Sequence, residues 1–124
     1  MKSFRILLVF VLLAGLFSCQ SHHKVTFTLV QYNVGAFKKY EASGIEGIAR
    51  VARELGADVL TLNEIDSCTT RTGNVDQLAE FAEEMGGWNC HYAAAMPYRG
   101  GAYGVGLASS PSLPILKTGK IALP

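Results

Sequence analysis

Acidic and histidine side chains are missing from residues 92–124 of this 124-residue chain. The last carboxylate belongs to Glu84 and the last imidazole to His91. A metal-dependent hydrolytic site needs several carboxylate ligands and usually a general base. The chain by itself is therefore expected to lack the base and most of the metal ligands of such a site.

Clustered positive charge is missing as well. The 11 Lys and Arg residues nearly balance the 10 Asp and Glu residues, and Lys38-Lys39 is a pair rather than a patch. No nucleic-acid-binding patch is evident, although nucleic acid as a substrate stays possible. The glycine-rich residues 100–106 lack a following Lys-Ser/Thr and lead into a strand, which disfavours a phosphate-binding loop. A turn with close packing against a neighbouring backbone is the preferred interpretation.

The amino terminus has the pattern of an export signal. Lys2 and Arg5 precede an apolar run, residues 6–16, that is too short for an ordinary membrane-spanning helix. The sequence Leu-Phe-Ser-Cys at positions 16–19 resembles the signal for bacterial lipoprotein processing, which would cleave before Cys19 and acylate it, although Phe17 is bulkier than the usual residue at its position. The alternatives are a plain secretory signal cleaved nearby and an uncleaved anchor.

This pattern predicts the organisation of the chain. We expect residues 1–18 to be a lipoprotein signal peptide, residues 19–24 a tether, and residues 25–124 the folded domain. Acyl chains on Cys19 would anchor the exported protein to a membrane of a bacterial cell envelope.

Cysteine is scarce, with three in the chain. With Cys19 assigned to lipid, Cys68 and Cys90 remain in a compartment that permits disulfides. The predicted topology places them at opposite edges of the sheet, a strand's length apart, whereas a disulfide needs Cα atoms within about 7 Å. We expect them to be unpaired, the alternative being a local distortion that brings them together.

Two strand patterns, Val25–Asn33 and Asp58–Asp66, flank a helical pattern at Ser43–Leu55. A right-handed crossover through the helix makes such strands parallel. The carboxyl ends of parallel strands meet at one edge, where α/β proteins bind ligands. Asn33 and Glu64 are therefore expected to share this edge, and a carboxylate beside an amide is a suitable start for a hard-cation site.

The rest of the chain predicts a mixed sheet. A second helix is expected at Val75–Met85, with Asn74 as its N-cap. Trp88–Met96 and Tyr103–Ser109 are predicted to form an antiparallel hairpin across a turn cluster at residues 97–101, and a further strand is predicted at Ile115–Leu123. The predicted fold class is α/β, with two helices on one face of the sheet.

Three segments together resemble the endonuclease/exonuclease/phosphatase family of metal-dependent phosphohydrolases. They are Gln31–Val34, Asp58–Asp66 and Tyr103–Pro111. The resemblance runs from about Val25 to the end of the chain and covers the first half of that family's domain. One departure is Asn63, where the family typically has Gln, so that amide has a shorter reach.

The resemblance implies the N-terminal half of a two-sheet α/β sandwich, a truncated domain without the family's later Asp and His motifs. It also implies an Mg²⁺- or Mn²⁺-dependent hydrolase of phosphoester bonds, in which the metal activates a water molecule that attacks phosphorus. Glu64 and Asn33 would be its metal-site and catalytic residues, and Tyr103 would lie beside the substrate. Such a half is expected to be inactive and poorly stable alone, because one apolar sheet face would lie open.

Other candidates have more than one interpretation. Arg71, in the polar loop after Glu64, could bind a substrate phosphate or could be a solvated loop residue. Asp66 is interpreted as a turn former, and His91 as a structural residue far from the predicted edge. The alternative function is a non-catalytic surface lipoprotein that binds a partner through its sheet, and a product without function is a third possibility.

Overall fold

Residues 24–38, 44–119 and 121 are described by a computed structural model, and the predicted α/β class is confirmed. One four-stranded sheet of order β1-β2-β4-β3 carries two helices. The strands are β1 (Leu29–Asn33), β2 (Val59–Ser67), β3 (Asn89–Tyr98) and β4 (Gly101–Ser109), and the helices are α1 (Ile45–Glu54) and α2 (Gln77–Glu84).

The first two strands are parallel, as the crossover through α1 predicts. β1 pairs with β2 from Leu29 opposite Val59 to Asn33 opposite Asn63. β4 is antiparallel to both β2 and β3, so the predicted hairpin is also confirmed. The carboxyl ends of β1, β2 and β3 and the amino end of β4 therefore meet at one edge, which we call the site edge.

Local chemistry sets the ends of the helices. α1 is followed by Gly56, whose φ of +60° is the left-handed conformation that glycine adopts readily, as predicted. The prediction of Asn74 as the N-cap of α2 is wrong. Asp76 occupies that position, and its carboxylate accepts a hydrogen bond of 3.1 Å from the backbone N–H of Ala79. This carboxylate also complements the partial positive charge of the helix N-terminus.

The core lies between the two helices and one face of the sheet. Its buried side chains include Leu60, Leu62, Ile65 and Ala108 of the sheet, Ile48, Ala49 and Ala52 of α1, and Leu78 and Phe81 of α2. Since side chains alternate along a strand, the intervening residues face away from the helices. On that open face Leu29 and Val105 are 57% and 46% exposed. The second sheet of a sandwich stays a prediction.

Three segments differ from the sequence-based prediction. Residues 25–28 are not part of a strand. The partner strand β2 begins at Val59, and Leu29 is the residue of β1 that pairs with it, so the parallel ladder starts at Leu29. β3 continues through Pro97 to Tyr98, since an edge strand tolerates proline. The prediction of a strand at Ile115–Leu123 is wrong for the residues of this segment that the structure describes. Residues 115–119 and 121 form no strand.

Two glycines allow the backbones to approach closely at the site edge. A Cβ atom on Gly101 would overlap the carbonyl of Ser67, and one on Gly104 would overlap the carbonyl of Ala93. These contacts confirm the interpretation of this glycine-rich segment as a site of close backbone packing.

Within the described ranges, no helix is both long and apolar enough to cross a membrane. Residues 1–23, which include the predicted signal and Cys19, lie outside those ranges.

Candidate functional site

Glu64 occupies a β-bulge at the site edge. The pairing of β2 with β4 shifts between Asn63 and Ile65, so Glu64 is the extra residue. Its φ of +60° lies in the left-handed region, which non-glycine residues rarely adopt. Bulges redirect side chains and occur often beside active sites. The side chain of Glu64 lines a pocket at this edge.

Asn33 and Glu64 come together as the sequence predicts. The side-chain Nδ2 of Asn33 donates a hydrogen bond of 2.7 Å to Oε1 of Glu64. The Oδ1 atom of Asn33 accepts a hydrogen bond of 3.1 Å from the backbone N–H of Gly35. Both ends of the amide have partners, so the amide holds the carboxylate in one orientation.

A single turn, Gly35–Phe37, forms one wall of the pocket. Gly35, Ala36 and Phe37 all have positive φ, at 52°, 55° and 53°. Such backbone strain costs on the order of 1–3 kcal/mol per non-glycine residue and persists only where the surroundings hold it. Phe37 is buried, and its ring centroid lies 6.0 Å from that of Phe81. This packing anchors the turn to the core.

Asp66 is not the turn former that the sequence suggested. It is a fully buried residue of β2, and its carboxylate accepts hydrogen bonds of 2.6 Å from Nε and 2.7 Å from Nη2 of Arg71. The hydroxyl of Thr69 donates a third, of 2.6 Å. The Arg71 guanidinium, ahead of the Thr69 hydroxyl, holds the pKa of Asp66 below its usual value. The carboxylate raises the pKa of Arg71 in return.

Arg71 also contacts two aromatic rings. Its guanidinium carbon lies 4.7 Å from the ring centroid of Tyr98 and 5.7 Å from that of Tyr103, within the range of cation–π attraction. Arg71 is therefore held by a carboxylate and two tyrosines instead of extending freely from its loop. Its one-third-exposed side chain still lines the pocket.

Tyr103 is placed by the sheet register. It pairs with Asp66 across β2–β4 and with Met96 across β3–β4. Burial raises the pKa of its hydroxyl, and the nearby charge of Glu64 raises it further. A tyrosine hydroxyl, whose usual pKa is about 10, is protonated at neutral pH in any case and can donate a hydrogen bond.

These residues surround a pocket of about 300 Å³. It is lined by Gly35, Ala36, Glu64, Arg71, Met96, Tyr98 and Tyr103. The structure thus gathers three of the predicted site residues around one cavity, with Asn33 bonded to the carboxylate in its wall. Met96 and Tyr98 were missed by sequence reasoning, because their place depends on the hairpin register.

The other sequence candidates lie elsewhere or are unpaired. His91 is an exposed residue of β3 that lines a separate cleft with Tyr92 and Thr118, away from the site edge as expected. Cys68 and Cys90 are both free and exposed, which confirms the prediction that they do not pair.

The residues present are compatible with a magnesium ion. Mg²⁺ is often held by one or two carboxylates, with waters and substrate phosphates completing its coordination. Glu64 supplies one such carboxylate to the pocket. In the described part of the chain, no three or more His, Cys, Asp or Glu side chains form a group that could hold a metal ion by themselves. The described donors therefore suit a solvated hard cation.

No family model matches the sequence, no curated protein matches it, and no solved structure matches its fold.

Proposed function

We propose that this chain carries the Glu64 side of an Mg²⁺- or Mn²⁺-dependent site that hydrolyses phosphoester bonds. The observation that supports this proposal most is the conformation of Glu64, a carboxylate in a left-handed bulge that is fixed by the Asn33 amide at 2.7 Å. Strained residues cluster at functional sites, where the strain serves to place a group. A surface glutamate without such a role would gain nothing from this backbone strain.

Each residue has a role that follows from its surroundings. Glu64 would bind the cation, and Asn33 would orient the carboxylate and contact the cation's water. The bound ion would stabilise negative charge on the phosphoryl oxygens and lower the pKa of a water molecule. The protonated hydroxyl of Tyr103 would donate a hydrogen bond to the substrate.

Arg71 would supply positive charge to the same pocket. Because its Nε and Nη2 atoms already bind Asp66, the phosphate would meet a guanidinium whose charge is largely balanced. Arg71 would therefore act chiefly by shape and by a remaining N–H edge, and contribute less affinity than an unpaired arginine.

The proposal extends to the cell envelope. Lys2, Arg5 and the apolar residues 6–16 before Cys19 support export and lipid anchoring. The site would then act on phosphoester substrates outside the cytoplasm.

Paramagnetic Mn²⁺ provides a direct test. Bound at Glu64, it should broaden the NMR signals of the nearby Asn33 side-chain amide first. Glu64→Gln should weaken Mn²⁺ affinity by about tenfold or more, since loss of even outer-shell partners costs 10–100-fold. Glu83→Gln, an exposed change on α2, is the matched control and should leave the affinity unchanged.

Two outcomes would count against the metal site: a wild-type protein that binds no Mn²⁺ near Asn33, or equal affinity in Glu64→Gln. Either result, with a folded chain, would favour the non-catalytic lipoprotein. Mg²⁺-dependent cleavage of a generic phosphodiester, abolished by Glu64→Gln, would extend the result from binding to hydrolysis.

A further inference from the structure

The carboxamide of Gln77 links two parts of the site edge that are far apart in sequence. Its Oε1 accepts a hydrogen bond of 2.9 Å from the backbone N–H of Asp66, and its Nε2 donates one of 2.7 Å to the carbonyl of Ala36. Gln77 is 97% buried, since its relative exposure is 3%. It is the first residue of α2, next to the N-cap Asp76.

We propose that Gln77 is a positioning residue that sets the placement of Glu64 and Asn33 across the pocket. This inference deepens the proposed function and depends on it for its consequence in metal binding. The geometry itself can be tested without any metal.

On the β1 side, Gln77 holds the strained turn. Ala36, whose carbonyl it binds, is the middle of the three residues with positive φ. The preceding residue, Gly35, donates its N–H to Asn33, which in turn donates to Glu64. Displacement of the Ala36 carbonyl would therefore be passed through Gly35 to the amide that orients the carboxylate.

On the β2 side, Gln77 binds the strand directly after the bulge. The Asp66 N–H lies two residues beyond Glu64, where pairing with β4 has just resumed at Ile65. Binding at this point stabilises the bulged register against a slip by one residue. One side chain thus secures both the turn that faces Glu64 and the strand that carries it.

The chemistry of this bridge requires an amide. Its two partners are a backbone donor and a backbone acceptor, so the side chain must accept and donate at the same time. A glutamate carboxylate could accept from Asp66 but would face the Ala36 carbonyl with a second acceptor. Asparagine has both groups but is shorter by one methylene, so it cannot reach both partners at once.

The test uses the full chain with Gln77→Glu, Gln77→Asn and Gln77→Met, with Ile48→Val as the control. Ile48 is buried in the core on α1, and its change to Val removes one buried methyl group but neither hydrogen bond of the bridge. The first readout is the Asn33 side-chain amide signal in metal-free NMR spectra. We expect it to move in the Gln77 variants that fold and to stay in place in Ile48→Val.

The second readout is Mn²⁺ affinity, which should fall about tenfold in the folded Gln77 variants and be retained in Ile48→Val. An Asn33 signal that is unchanged in every folded Gln77 variant, or that moves equally in Ile48→Val, would overturn the positioning role. If the wild type binds no Mn²⁺, the metal site fails, while the Asn33 signal still decides the role of Gln77. The three Gln77 variants remove different parts of the bridge, so the test does not depend on one of them folding.

Discussion

The buried carboxylate of Asp66 binds the guanidinium of Arg71 through two hydrogen bonds of 2.6 and 2.7 Å. This pair joins β2 to the polar loop that follows it, and the stacking of Arg71 on Tyr98 extends the link to β3. The loop is thereby fixed at the site edge, where Arg71 lines the pocket.

Loss of the pair should destabilise the protein. Arg71→Leu leaves the Asp66 carboxylate buried, and we expect a loss of about 2–4 kcal/mol, somewhat less than a fully buried pair because Arg71 is partly exposed. Arg71→Lys should lose part of this amount, since lysine cannot bind both oxygens in a planar fork. Urea denaturation measures the change in free energy of unfolding.

The matched control is Arg50→Leu. The ion pair of Arg50 with Glu54 is exposed and spans 3.7 Å, so its loss should change stability by no more than about 0.5 kcal/mol. Equal losses of unfolding free energy in the Arg50 and Arg71 variants would mean that the Asp66–Arg71 pair stabilises the protein no more than an exposed ion pair does.

The same pair predicts a dependence on pH. The folded-state pKa of Asp66 lies below its usual value near 3.8. Its stabilisation is therefore complete above the unfolded pKa and is lost as the pH falls through the folded pKa. Arg71→Leu removes the partner that lowers this pKa and leaves the burial that raises it. The stability difference between wild type and Arg71→Leu should therefore begin to shrink at a pH above the usual Asp pKa of about 4 and keep shrinking as the pH falls through the wild-type folded pKa. A difference that stays the same down to about pH 3 would contradict this coupling.

The positive φ of Glu64 predicts that glycine is more stable than alanine at this position, which is the reverse of the usual order within a strand. With φ at +60°, Glu64→Gly should be more stable than Glu64→Ala by about 1 kcal/mol, because only glycine adopts this region without strain. At Thr61, an ordinary position of β2, the order should reverse, with glycine worse by about 0.5–1 kcal/mol. Thermal or urea unfolding of the four variants tests both signs, and the same order at both positions would argue against the bulge.

Gly104 should not tolerate a methyl group. Its Cβ would overlap the carbonyl of Ala93 in the neighbouring strand, and the sheet backbone cannot move aside easily. Gly104→Ala should cost about 2–3 kcal/mol, the upper part of the range for overpacking. Gly119→Ala, which meets nothing within 4 Å, should be within about 0.5 kcal/mol of the wild type. Equal melting temperatures of Gly104→Ala and Gly119→Ala would disprove the close packing at Gly104.

Lipidation of Cys19 stays a prediction, because that residue lies outside the described chain. In bacterial cells given a clickable fatty-acid analogue, the wild-type protein should incorporate the label and Cys19→Ala should not. Cys68→Ala provides the control for loss of a cysteine, and it should be labelled like the wild type. Equal labelling of the wild type and Cys19→Ala would contradict the assignment.

Much of the fold could be predicted because its signals are local. The apolar spacing of α1 and α2 and the strand patterns around Leu60 and Ala108 report which face each element buries. The parallel pair and the hairpin then follow from the lengths of the connections. The ends of the strands were less predictable, since the extent of a ladder depends on where its partner begins.

The bulge had one faint signal in the sequence. Leu60 and Leu62 alternate toward the core, so unbroken alternation would send Glu64 and Asp66 to the core and Ile65 to the open face. An isoleucine flanked by two acids at the end of an apolar strand is more consistent with one inserted residue. The structure has that insertion, which buries Ile65 in the core and turns Asp66 toward Arg71.

The sequence by itself determined the α/β class, the parallel strand–helix–strand unit and the meeting of Asn33 and Glu64 at one edge. Hydrophobic periodicity and the handedness of the crossover are sufficient for those features. Only the tertiary structure decided the contact of the Glu64 carboxylate with the Asn33 amide, the binding of Arg71 by Asp66 and the bridge made by Gln77. Each of these depends on a hydrogen-bonding partner brought near by the packing of separate elements, and no local pattern encodes that distance.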